Sequence, residues 1–332
     1  MARHSTGLGF WWQKYFSRAE FSFALLPKQP ERRKDFPFRP ACNGQIMDRK
    51  NIFGSVGRSI SGLFGRKGKA TVTAPPHLGS AARFPYGPFQ FGFQIPKGVP
   101  YEIQVSSNLR AWQPISSSTS AGEPVEYVDS DASKFNVRFY RVLAETVSSD
   151  NVIGYASINV PPGYSLIANP LQASSNAVSA ILPDMPDDTA LNKFDTHLFK
   201  LTENTVKNDK WINPGETLSP GEGAIFFNPT SDFKSINFVG EVLQGELLLP
   251  IASGFSIRSS RIPQPGRLHT DLSFPIQEGD MVHLFDRDHQ KYVIYEYDRK
   301  KWDSNPPILG VGESFWIGKT TPGNWVQNLV IK

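Results

Sequence analysis

The sequence holds a single cysteine, Cys42, among 332 residues. One thiol cannot close an intramolecular disulfide or build a multi-cysteine zinc site. No apolar run approaches the ~20 residues of a membrane-spanning helix. The histidines (His4, His77, His197, His269, His283 and His289) include no His-x-x-x-His pair of metal-ligand spacing. There is no phosphate-cradling Gly-x-x-x-x-Gly-Lys loop and no Gly-x-Ser-x-Gly nucleophile elbow. Gly7-Leu8-Gly9 lacks the preceding strand and third glycine of a dinucleotide fingerprint. A secretory leader needs an apolar core of about 7–15 residues, and the best stretch near the start, Phe21–Pro27, has neither that core nor a small-residue cleavage site. These absences remove the common routes to nucleotide, metal and serine-nucleophile chemistry, and no cofactor is expected.

What the chain does hold is punctuation and aromatics. Glycine and proline number 27 each and aromatic residues make up 12%, too many rings for a wholly disordered chain. The length suits two or three domains. The net charge of +4 conceals an asymmetry. Residues 1–78 carry 14 Lys/Arg against 4 Asp/Glu, a balance of +10, and the remainder carries 21 against 27, a balance of −6. The basic character therefore belongs to an N-terminal arm and not to the body.

The arm has no clean period over its first 46 residues, and Met47 offers a second plausible start. From 51 to 65 the pattern tightens: Ile52, Phe53, Val56, Ile60, Leu63 and Phe64 fall on one helical face, with Arg58, Arg66, Lys67 and Lys69 supplying charge through residue 69. Gly54, Gly57, Gly62 and Gly65 weaken such a helix in water by roughly 1 kcal/mol each. The segment reads as a solvated basic linker or as a helix formed on an anionic membrane surface, which would make the chain a membrane-associated scaffold. No helix-turn-helix or zinc-finger spacing accompanies the charge, so nucleic acid is not an expected partner.

From Phe84 to Val142 the period changes to two. Phe89, Phe91, Phe93 and Ile95 alternate with Gln90, Gly92 and Gln94, and Tyr101, Ile103 and Val105 alternate with Glu102 and Gln104. Trp112 is placed as an anchor of that sheet. Tyr101-x-Ile103-x-x-Ser106-Ser107-x-Leu109-x-x-Trp112, then Asp129, then Arg138-Phe139-Tyr140-Arg141, resembles a small β-sandwich module of large secreted bacterial surface proteins. The resemblance implies a spacer or adhesion module with no catalytic residue to carry over.

Residues 152–332 align with themselves at a shift of 91 (254 − 163) without a gap. Gly163 and Ser165 fall on Gly254 and Ser256, Phe194-Asp195 on Phe285-Asp286, Lys210-Trp211 on Lys301-Trp302, and Gly221-Glu222 on Gly312-Glu313. Such a register marks a tandem duplication. Each copy reads as short strands between turns, with Ser174–Leu182 the one plausible helical turn. The opening Gly163-Tyr164-Ser165-Leu166-Ile167-Ala168-Asn169-Pro170 and the later Ser219-Pro220-Gly221-Glu222-Gly223-Ala224-Ile225-Phe226 resemble repeats of bacterial secreted and cell-surface proteins. Copy two departs at Arg258-Ser259-Ser260. The resemblance implies a non-catalytic β module in an extracellular or envelope setting, while the sequence itself shows no recognisable leader and leaves a cytoplasmic location open.

The acids that recur in both copies are Asp195 with Glu222 and Asp286 with Glu313. Two carboxylates are the minimum for glycoside hydrolysis. The alternative is that each Glu accepts backbone N–H bonds from the loop before it, and a structural acid recurs naturally with a structural repeat. His283 and His289 flank Asp286-x-Asp288, a weak cation-site pattern without the twelve-residue calcium loop. No catalytic, cofactor or metal residue is assigned. The expectation is an all-β chain: a basic, largely irregular arm (1–78), a small β-sandwich (84–146) and two similar β units (152–248 and 249–332). The expected function is that of a non-catalytic structural, adhesion or interaction protein with a protein or glycan partner; an unrecognised hydrolase is the rival.

Overall fold

The computed structural model describes residues 72, 74–83 and 87–331. The amphipathic segment 51–65, the arm around it and Cys42 lie outside them. The protein is all-β. Its first part contains β1 (Gly79–Arg83), β2 (Phe89–Phe93), β3 (Pro100–Ser106), β4 (Gln113–Thr119), β5 (Val125–Asp129), β6 (Val137–Ala144) and β7 (Val147–Ser148). Unit one contains β8 (Ile153–Val160), β9 (Gly163–Ile167), the short helix α1 (Val178–Ile181), β10 (Ala190–Asp195), β11 (Lys200–Lys207), β12 (Lys210–Trp211), β13 (Ala224–Asn228) and β14 (Lys234–Glu241). Unit two comprises β15 (Gly245–Ile251), β16 (Gly254–Arg258), β17 (Gly266–Arg267), β18 (Met281–Asp286), β19 (Lys291–Asp298), β20 (Lys301–Trp302), β21 (Ile308–Leu309), β22 (Phe315–Lys319) and β23 (Gly323–Leu329). Among the described residues no helix is long and apolar enough to cross a membrane.

The sandwich packs the sheet β1-β2-β5 on the sheet β14-β8-β6-β3-β4. Period two in the sequence becomes one dry face: Phe89, Phe91 and Phe93 are buried while Gln90 and Gly92 are half-buried. Phe89 lies flat on Tyr140, ring centres 4.7 Å apart. The Tyr140 hydroxyl donates to Asp129 at 2.7 Å and Arg138 pairs with the same carboxylate at 2.9 Å. Asp129, Arg138 and Tyr140 thus form a buried polar cluster that ties β5 to β6, each charge and hydroxyl partnered as burial demands. Trp112 is not an anchor of this core. It sits half-buried in the β3–β4 loop beneath the Arg141 guanidinium, 4.5 Å from its ring centre, and packs on a separate cluster with Leu109 and Phe139.

The sandwich is continuous with unit one. β8 and β14 complete its larger sheet, with Tyr140 opposite Ile153 and Ser157 opposite Asn237. The expected boundary between 84–146 and 152–248 is therefore bridged by ladder hydrogen bonds, and the one expected at 248/249 falls inside β15.

The two units share strand order and register. Gly163 opposite Asn228 recurs as Gly254 opposite Lys319, Ala190 opposite Thr205 as Met281 opposite Glu296, and Val206 opposite Trp211 as Tyr297 opposite Trp302. Each pair moves by the same 91 positions. Within each unit a five-stranded sheet covers the inner face of a two-stranded ladder, β8·β14 or β15·β23. Unit one fills the space with Leu191, Phe226, Phe238 and Trp211, and unit two with Phe274, Phe315, Ile317 and Trp325. The ladders differ in register. Leu248 pairs with Val326 instead of Asn328, a slip of two residues that keeps every side chain on its own face.

The five-stranded sheets of the two units meet through matching residues. Their shared cluster holds Tyr164 with Phe255, Leu166 with Ile257, Ile225 with Trp316, and Phe194 with Phe285, each pair 91 apart. The backbone bonds across the contact are reciprocal as well. Ala168 N–H donates to Gly312 C=O at 2.9 Å, and Ser259 N–H donates to Gly221 C=O at 3.1 Å. Bridges pair Ile167 with Glu313 and Arg258 with Glu222. This is an isologous interface within one chain, generated by a local two-fold relation.

Gly223 lies where that relation maps a position onto its own counterpart. A Cβ placed there would stand 2.5 Å from the Ser314 Cβ and from the Ile257 Cγ2. Gly223→Ala is expected to destabilise the protein by about 1–3 kcal/mol through overpacking, read as a lower midpoint in urea denaturation. An unchanged midpoint would mean that the units are not held this closely.

Candidate functional site

The repeated acids are built into turns. In unit one the Glu222 carboxylate accepts the Ser219 N–H at 2.7 Å, and in unit two the Glu313 carboxylate accepts the Gly310 N–H at 2.9 Å. The preceding glycines, Gly221 at φ +99° and Gly312 at φ +78°, occupy the left-handed region that favours glycine. Their carbonyls are the acceptors of the inter-unit bonds, so the Gly-Glu pair shapes a loop and offers it to the other unit. Lys193 pairs with Glu222 at 3.1 Å, and Arg287 pairs with Glu313.

Asp195 and Asp286 hold a different turn. Asp195 accepts the N–H groups of His197 and Leu198 at 2.8 and 2.9 Å, and Asp286 accepts those of Asp288 and His289 at 3.2 and 3.1 Å. These backbone donors hold both carboxyls below the usual range, as hydrogen bonding to the charged form requires. Each acid is thus occupied in its own turn. Asp195 and Asp286 stand at the hairpin turns after β10 and β18, whereas Glu222 and Glu313 stand in the loops before β13 and β22.

His283 and His289 are also separated by role. His289 is exposed and pairs with Asp286 at 2.8 Å. His283 is buried on β18 with its ring 6.2 Å from Phe255 and 6.3 Å from Tyr292. Among the described residues no three His, Cys, Asp or Glu side chains converge on a metal site. The fully buried Lys319 amine is likewise occupied, donating to Asp280 and to the Pro275 carbonyl.

A cavity of about 240 Å³ opens between the β3–β4 loop and unit two, lined by Leu109, Arg110, Gln264, Asp271, Gln327 and Asn328. Gln264 reaches across to the Asn108 carbonyl at 2.8 Å, and Gln327 donates to Ser260 and Leu272 and accepts from Arg261. Gln264 thus joins the sandwich loop to unit two, while Gln327 is engaged within unit two. The large rings are chiefly core. The exposed ones among the described residues are Phe135, Phe199 and Phe233. Alternation could not single these out, since none belongs to a period-two strand face. The inter-unit clasp was equally hidden, because its two halves, the strand-opening motif and the Gly-Glu motif, lie more than 50 residues apart in each copy. Their shared 91-residue recurrence was the available signal.

No family model and no curated protein matches the chain. Among solved structures it is similar to the FN1–FN3 domains of chicken CNTN1, with 11% identity, a TM-score of 0.18, and coverage of 75% of this chain and 90% of that one.

Burial lowers the His283 pKa from 6.5 to about 4. The unfolded chain takes up this proton near pH 6.5, whereas the folded chain refuses it until about pH 4. The stability due to a neutral His283 is therefore complete above 6.5 and is lost as the pH falls through that window, with a slope approaching ~1.36 kcal/mol per pH unit. His283→Asn, which installs the residue found at the matching position of unit one (Asn192), should flatten the decline in urea midpoints measured between about pH 7.5 and 4.5. An identical decline in the variant would place its origin elsewhere.

Proposed function

We propose that this chain is a non-catalytic adhesion or interaction protein of the bacterial envelope or extracellular matrix, with a protein or glycan as partner. The occupation of all four repeated acids in turns supports the non-catalytic part. The observation that carries the interaction reading is a difference between the outer faces of the two ladders. In unit one this face is covered by the sandwich: Arg83 of β1 lies 3.7 Å over the Tyr155 ring and donates to Ser157, which in turn bonds Asn237. In unit two the corresponding pair is Leu248 and Val326, 45% and 40% exposed. Unit two thus presents an exposed apolar pair, flanked by Glu246, Asn324 and Asn328, where its counterpart has a polar pair under cover.

The edge of β15 is less suited to docking than the face. Among the described residues no strand pairs its outer side, where β8 has β6. Yet Pro250 supplies no N–H, and Arg261 donates to the Leu248 carbonyl at 2.9 Å. Both features blunt an edge against strand addition. The face carries one charge, Glu246, displaced from the central Leu248–Val326 pair, and so meets little repulsion from its own image. A second copy docking through a two-fold axis would set Leu248 against Val326 of that copy.

Sedimentation equilibrium of the full chain should show reversible dimers. Leu248→Glu with Val326→Thr should abolish them while changing stability by no more than about 0.5 kcal/mol, as befits surface positions without like charges opposed across the ladder. Dimers that persist in the double variant, or a wild type that stays monomeric at all concentrations, would rule out this face as a homotypic contact.

A further inference from the structure

The glycan form of the proposed function requires an aromatic that is both exposed and held still. The three exposed phenylalanines differ in this. Phe135 has the Arg138 guanidinium 4.2 Å over its ring, so that face is taken. Phe233 is 67% exposed in the β13–β14 loop, and among the described residues no ring packs on it. Phe199, at the tip of the β10–β11 hairpin, is 61% exposed yet makes two near-perpendicular ring contacts, with Phe194 at 5.2 Å and Phe255 at 6.4 Å. Its orientation is fixed while most of the ring remains in solvent.

Its backbone sharpens the contrast. Phe199 sits at φ +50°, a region in which a bulky side chain is uncommon. The matching residue of unit two, Gln290, has the same φ and uses its side chain structurally. Its amide accepts the Tyr164 N–H at 2.7 Å and donates to the Tyr164 and Arg287 carbonyls. It also fills the space over Gly163, where a Cβ would meet Gln290 Oε1 at 2.7 Å. By the local two-fold relation, Phe199 stands beside Gly254, and there a Cβ would meet nothing within 4 Å among the described residues. One tip fills the space over its glycine with an amide; the other leaves that space open and sets a ring beside it. Leu198, 62% exposed, widens the apolar surface, and the exposed Thr196, His197 and Lys200 rim it with hydrogen-bonding groups.

We propose that the Phe199 tip beside Gly254 is a carbohydrate-binding site, the ring stacking on the C–H face of a pyranose and the rim bonding its hydroxyls. This rests on the glycan form of the proposed function. An apolar ring with a fixed attitude and a polar border meets both halves of a sugar's chemistry.

The test applies the full-length chain to an array of β-glucan, mannan and N-acetylglucosamine oligomers, beside Phe199→Ala, Phe199→Trp and, as a control, Phe233→Ala. The wild type should retain at least one oligomer class. Phe199→Ala should bind it at least about tenfold more weakly, the loss typical of a dominant contact, with an unchanged thermal midpoint. Phe199→Trp should preserve or improve binding, and Phe233→Ala should match the wild type. Equal binding by Phe199→Ala would overturn this site and leave the glycan reading standing. A wild type that binds no oligomer would overturn both. Loss in Phe199→Ala of co-sedimentation with phosphatidylglycerol vesicles, without loss of glycan binding, would also overturn it by assigning the tip to a membrane.

Discussion

Everything in the second half of this protein turns on two backbone hydrogen bonds that are images of one another, Ala168 to Gly312 and Ser259 to Gly221. For them to form together, two loops must carry left-handed glycines at the same depth, and two strands must end at the same height. Once they are made, the five-stranded sheets lie face to face and their rings interlock as matched pairs. The carboxylates of Glu222 and Glu313 serve this geometry by holding the loops that present the carbonyls. An acid that accepts the backbone donors of its own loop serves the geometry of that turn, and a turn that repeats brings its acid with it.

Much of the architecture was legible in the residues because it rests on periodicity. Alternating Phe89, Phe91 and Phe93 announced a half-buried strand, and the 91-residue self-match announced strands that repeat in register. The helical turn expected at 174–182 is present as α1. Less legible was where one body ends and the next begins. Period two says which face of β8 is dry, but nothing local says that β6 takes one of its edges and β14 the other. Trp112 failed as a sheet anchor for a related reason: ring size predicts burial somewhere, while a loop position and a nearby guanidinium decided where.

The candidate sites were less visible still. Phe199 and Gln290 share a position, a φ and a turn, so the pattern that revealed the repeat also disguised their difference. Only contacts show that Gln290 fills the space over a glycine and Phe199 does not. The same holds for Ser157–Asn237 against Leu248–Val326, where pairing and exposure together give the residues meaning. Divergence between copies that keep one backbone is a direct record of which positions the fold requires and which it has released.

A two-fold contact between units uses up the faces it joins. Neither five-stranded sheet can accept a third unit in the same way, so the pairing is finished at two and cannot propagate into a filament. The sandwich then seals the outer side of unit one only. Among the described residues the outer side of unit two has no such cover, so the two partners of a symmetric contact differ in what they turn away from it.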